Sequence, residues 1–231
     1  MEKQHSFPYK AHLYFFLLYF LSIAALFWFA NRNNGFQSGF SLTLLWNCFL
    51  SFLPVLFARL AVAGREKKNH IWPLWMFLWI AFWPNTFYLV TDVIHFTGNT
   101  LYDELPYQNP VYSTQIQLWV TVILIIAGIL YGIINGVTSE LILEEHIISP
   151  YGNDTRVVFR AICSILGGAG IYIGRFLRFN SWDIFRPAKL WNAIRYPQYR
   201  MAFILSFSGA FAVFIFFVLC ISKSLVDENT K

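Results

Sequence analysis

Six apolar runs constrain this chain more than any other feature: Leu13–Ala30, Phe40–Val62, Ile71–Val90, Ile116–Val137, Val157–Phe176 and Ala202–Ser222. A helix rises 1.5 Å per residue, so about 20 apolar residues cross the hydrocarbon core of a bilayer. Each run is close to that length. Helices are the expected form, because lipid offers backbone groups no partner and a helix satisfies them internally. A transmembrane β-barrel needs alternating segments of about ten residues. Val120–Leu130 does not alternate. Composition agrees: of 231 residues, 57% are hydrophobic and 13% charged, whereas a soluble domain averages about 25% charged. Disorder is excluded as well, since it needs low hydrophobicity and high charge. The expected fold is all-α. It is a polytopic integral membrane bundle of about six transmembrane helices, a single transmembrane domain over 1–231, with an interfacial amphipathic segment at 184–200.

The first run follows Lys3 and Lys10 but lacks a small-residue cleavage site, so it reads as an uncleaved anchor. Cys48, Cys163 and Cys220 all lie in apolar runs, with no CxxC spacing, and read as small buried hydrophobes. The net charge of +5 is local. Residues 175–201 hold Arg175, Arg178, Arg186, Lys189, Arg195 and Arg200 against Asp183 alone. Six spans put both termini on one side. That side receives Lys3, Lys10, Arg65, Lys67 and Lys68 among others, which favours both termini in the cytoplasm. The basic 175–201 segment pulls the other way.

Two polar strings end the third and fifth runs. The first is Pro84-Asn85-Thr86-Phe87-Tyr88-Leu89-Val90-Thr91-Asp92-Val93-Ile94-His95. Asp92 and His95 are three residues apart and share a face if this stretch is helical. That spacing suits an acid/base pair, with the carboxylate orienting the imidazole, or two ligands to one metal ion. The second string is Gly170-Ile171-Tyr172-Ile173-Gly174-Arg175-Phe176-Leu177-Arg178-Phe179-Asn180-Ser181-Trp182-Asp183. Arg175 and Arg178, one helical turn apart, suit a phosphate or carboxylate, which guanidinium groups bind in bidentate fashion. Spans three and five run in the same direction, so both strings are expected at one membrane face. Arginines snorkelling beside an aromatic belt are the bland alternative for the second string.

Other features are read structurally. The glycines at 167, 168, 170 and 174 predict close helix packing, with Gly170 to Gly174 in GxxxG spacing. Asn47 lies inside a span and needs a partner. Glu140, Glu144, Glu145 and His146 are expected to form a solvated helix end, since like charges at i, i+4 repel mildly. Lys189, Leu190, Trp191, Ile194 and Arg195 suit the headgroup layer of anionic lipids. No phosphate-loop, Rossmann, nucleophile-elbow or zinc-protease motif is present. All five histidines fall at span ends or in loops, which argues against haem. Beyond charge, nothing supports nucleic-acid binding.

The two strings, with Leu45-Trp46-Asn47 and Pro54, resemble the signature of the bacterial membrane-protein family of domain of unknown function 1361. The resemblance covers roughly residues 40–200. It implies a polytopic bacterial membrane protein and supplies no mechanism.

The leading functional expectation is an enzyme at the extracytoplasmic interface acting on a phosphate-bearing lipid or lipid-linked envelope precursor. Asp92 and His95 would be the catalytic pair or the ligands of a divalent metal, joined by Asp183. Arg175 and Arg178 would hold the anionic group, with Asn180, Asn85 and Tyr88 orienting it. The expected partners are anionic membrane lipids, with no protein partner identifiable. A small transporter and a non-enzymatic assembly protein are the alternatives.

Overall fold

The computed structural model describes residues 14, 17–19, 21–25, 28, 38–96, 102–103, 111–179, 183, 186, 188, 191–192 and 200–228. Its main helices are α1 (Ser38–Glu66), α2 (Trp72–Phe82), α3 (Pro84–Tyr88), α4 (Ile116–Leu143), α5 (Asn153–Phe176) and α6 (Met201–Glu228). Among the described residues, five helical stretches are long and apolar enough to cross a membrane: Leu42–Glu66, Trp72–Phe96, Ile116–Tyr151, Asn153–Phe176 and Met201–Glu228. The described residues between 14 and 28 are helical too, within the first expected span. The chain is thus an all-α, multi-pass membrane protein. Large side chains such as Leu205, Val213, Ile165 and Ile123 stand exposed on these helices. That is the surface a lipid-facing helix presents.

Two compact units divide the chain. The first holds residues 1–49 and 89–131, the second residues 50–88 and 132–231.

In the first unit, Tyr19, Ile23, Leu44, Cys48, Leu89, Leu124 and Tyr131 form the core. Tyr19 and Ile23, like Leu44 and Cys48, stand four residues apart and so present one helical face. The Tyr19 hydroxyl donates to the Leu124 carbonyl at 2.9 Å. Gly128 makes room for it, since a Cβ there would lie 2.6 Å from that hydroxyl. A short antiparallel pairing of Tyr102–Asp103 with Val111–Tyr112 also belongs to this unit.

In the second unit, Trp79, Trp83 and Phe87 pack with Leu143, Cys163, Ile171, Ile215 and Leu219. The glycines of α5 act as the spacing predicts. Gly168 lies against the α6 backbone, where a Cβ would sit 2.2 Å from the Ser208 carbonyl oxygen. Gly170 faces the Pro84 ring, and Gly174 the Tyr88 ring.

Two boundaries differ from expectation. The third span is not one helix: α2 ends at Phe82, Pro84 opens α3, and Leu89–Phe96 winds as a 3₁₀ helix. Pro84 has no N–H to donate and its ring crowds the preceding turn. The fourth span runs on past Val137 through Leu143 and a π turn, Glu144–Ile148. The expected solvated end holds for Glu145 and His146, which are exposed, and fails for Glu140 and Glu144, which are both fully buried. Arg160 of α5 reaches them, which local sequence spacing does not reveal.

Candidate functional site

In a 3₁₀ helix, side chains at i and i+3 eclipse one another. The winding of Leu89–Phe96 therefore stacks Asp92 and His95 on one line. His95 Nε2 lies 3.8 Å from Asp92 Oδ1, the reach of an ion pair with a protonated imidazole. Their exposures are opposite. The Asp92 side chain is 1% exposed and that of His95 36%. A buried carboxylate needs donors. Asn47 supplies one, its Nδ2 donating to Asp92 Oδ2 at 2.9 Å. The polar residue inside the second span thus has its partner in the first polar string, within one unit. Asn47 thus holds the buried Asp92 carboxylate, and the more accessible His95 imidazole lies beside it at 3.8 Å. A carboxylate beside an imidazole brings together two groups able to exchange protons.

Asn47→Leu removes the amide and leaves Asp92 buried with one donor fewer. We expect a loss of about 1–2 kcal/mol, read as a lower unfolding temperature in detergent.

The second string lies in the other unit and is arranged differently from expectation. Helix α5 ends at Phe176, and Arg178 adopts a left-handed conformation with φ 54°. Arg175 and Arg178 therefore do not share a continuous helical face. Arg175 stacks its guanidinium over the Tyr88 ring at 4.2 Å, a cation–π contact. Arg178 is exposed. Asn85 donates to the Phe82 carbonyl at 2.9 Å, and Thr86 to the Trp83 carbonyl at 2.7 Å. Both close carbonyls at the Pro84 break. Asp183 is buried; its carbonyl accepts the Arg186 N–H at 2.8 Å, and its Oδ1 lies 3.9 Å from that guanidinium. Asn180 and most of the 184–200 segment lie outside the described residues. Among the described residues, no group of three or more His, Cys, Asp and Glu side chains is placed to hold a metal ion. Asp92 and His95 form a pair.

Sequence reasoning missed a second polar cluster at the ends of α4, α5 and α6. Arg160 forms a two-pronged pair with Glu144, Nε to Oε2 at 2.6 Å and Nη2 to Oε1 at 2.7 Å. Glu140 Oε1 lies 4.0 Å from Arg160 Nε. Lys223 of α6 bridges Asp227 at 2.9 Å and Glu145 at 3.6 Å. Arg65, at the end of α1, donates to the Ile147 carbonyl at 2.9 Å. The signal was present: Arg160 sits inside an apolar run, and such a charge requires a counter-charge.

Helical spans, a glycine-packed helix pair and buried ionisable groups define a polytopic helical membrane protein. Residues 46–222 match the family described as protein of unknown function, DUF1361, and the chain belongs to that family. Among curated proteins and among solved structures, nothing matches.

Proposed function

We propose that this protein is a membrane enzyme in which His95 is the acid/base group, acting at the extracytoplasmic interface on a phosphate-bearing lipid or lipid-linked precursor. One observation carries the reading: an accessible imidazole backed by a buried carboxylate that is itself held by Asn47. A purely structural pairing gives no reason to leave the imidazole open. Asp92 and His95 close a membrane-spanning stretch, Trp72–Phe96, which suits a substrate whose reacting group lies at the headgroup level. The phosphate-bearing class rests on the basic character of 175–201, where six basic residues face one acid. The termini are assigned to the cytoplasm from the basic residues near positions 3–10 and 65–68.

The test uses purified protein in vesicles of phosphate-bearing lipids, followed by mass spectrometry of the lipids. Wild type should consume a phosphate-bearing species. General acid/base groups contribute about 10²–10⁴-fold, so His95→Ala should slow turnover about 100-fold or more at normal thermal stability. Asp92→Asn should fall between the two. Identical lipid profiles for wild type and His95→Ala would remove the proposal. A loss of stability in His95→Ala with no wild-type turnover would make the cluster an assembly element instead.

A further inference from the structure

Glu140 is a buried carboxyl with no role in the site above. Neither of its oxygens has a hydrogen-bond partner among the described residues. Its surroundings explain why. On its own helix, Glu144 lies one turn on. From α5 come Arg160 and Cys163, and from α6 Lys223, with Cys220 beside Arg160. Arg160 is the nearest cation, and both prongs of its fork are taken by Glu144. Lys223 is held by Asp227 and Glu145. Arg65 is occupied by backbone carbonyls of the π turn.

An ionised Glu140 would therefore be a second buried anion whose neighbouring cations, Arg160 and Lys223, are both already engaged by other carboxylates. Its carboxyl also lies beside that of Glu144. Two carboxylates cannot donate to each other. A carboxylic acid can donate to a carboxylate, and such bonds are short and strong. One proton thus supplies the missing donor and relieves the repulsion together.

We propose that Glu140 is a proton-binding site, with the Glu144–Arg160 pair as its fixed counter-charge. The ligand is a proton taken from the aqueous face at which α4 ends and α5 begins. Its release makes the two carboxylates compete for one guanidinium. Proton occupancy is thereby coupled to the α4–α5 junction. The site is independent of His95 and stands whatever that residue does.

Infrared difference spectroscopy on the full chain in lipid vesicles tests this. Wild type at neutral pH should show the carbonyl stretch of a protonated carboxylic acid, shifting in D₂O. Glu140→Gln should lose that band and keep its thermal stability, since the amide donates to Glu144 in place of the proton. Glu144→Gln should also lose it, because the freed Arg160 then pairs with Glu140. Carbodiimide labelling of wild type, which requires a protonated carboxyl, should place its adduct on Glu140. No acid band in wild type, a band untouched by Glu140→Gln, or an adduct on Glu144 instead overturns the proposal.

Discussion

Arg160→Leu should be the most damaging single substitution in the described structure, lowering stability by about 3–5 kcal/mol. Removing one partner of a buried ion pair strands the other. Here Glu144 loses both prongs of its fork, at 2.6 and 2.7 Å, and Glu140 loses the guanidinium that lies 4.0 Å away. Arg160→Lys should recover part of the loss, because an ammonium lacks the fork that matches a carboxylate. The double variant Arg160→Leu with Glu144→Leu should recover most of it, since replacing a whole buried pair by apolar groups is often neutral. Thermal unfolding of the three variants in one detergent checks the order. If Arg160→Leu and the double variant unfold together, well below wild type, the cost comes from packing rather than from a stranded charge.

Gly168→Val should rank next, with a loss of about 3 kcal/mol. A Cβ at Gly168 would meet the Ser208 carbonyl oxygen at 2.2 Å and the Ala212 nitrogen at 2.9 Å. Both atoms belong to backbone, which cannot swing aside as a flexible side chain would. Helices α5 and α6 would have to separate along their glycine seam. Small residues matter here because apolar side chains gain little from one another over lipid, so close backbone approach carries the association. Gly209 of α6 is the control. Nothing lies within 4 Å of a Cβ built there, and Gly209→Ala should gain about 0.8–1 kcal/mol of helix propensity. Unfolding temperatures moving in opposite directions would verify the seam. A Gly168→Val protein as stable as wild type would refute it.

Much of the fold is legible in the apolar runs, because lipid leaves the backbone few choices. The glycine run 167–174 reads as close packing, but not its partners: Gly168 lies against α6, while Gly170 and Gly174, in GxxxG spacing, face Pro84 and Tyr88. The third span shows where reading stops. Pro84 announces a break, yet only the structure shows that the chain beyond Leu89 tightens into a 3₁₀ helix that eclipses Asp92 and His95. The arginine pair fails for a related reason. The spacing of Arg175 and Arg178 assumes a helix that ends at Phe176, so one residue stacks on Tyr88 while the other leaves the helical face. Glu140 and Glu144 were misread because their spacing, judged locally, is that of two repelling charges. Their counter-charge stands sixteen residues beyond Glu144, on the next span. Pattern within one helix cannot reveal a partner that only a helical hairpin brings back.

The Glu144–Arg160 fork also constrains how this chain enters a membrane. Helix α4 emerges during synthesis before α5 and carries two carboxylates toward its end. Released alone into lipid, that end would be costly, and so would an isolated α5 with Arg160 in its apolar run. Sixteen residues, the turn through Gly152 and the first two turns of α5, separate Glu144 from Arg160. The two segments therefore leave the insertion machinery most cheaply as one unit, their charges cancelled before either meets hydrocarbon.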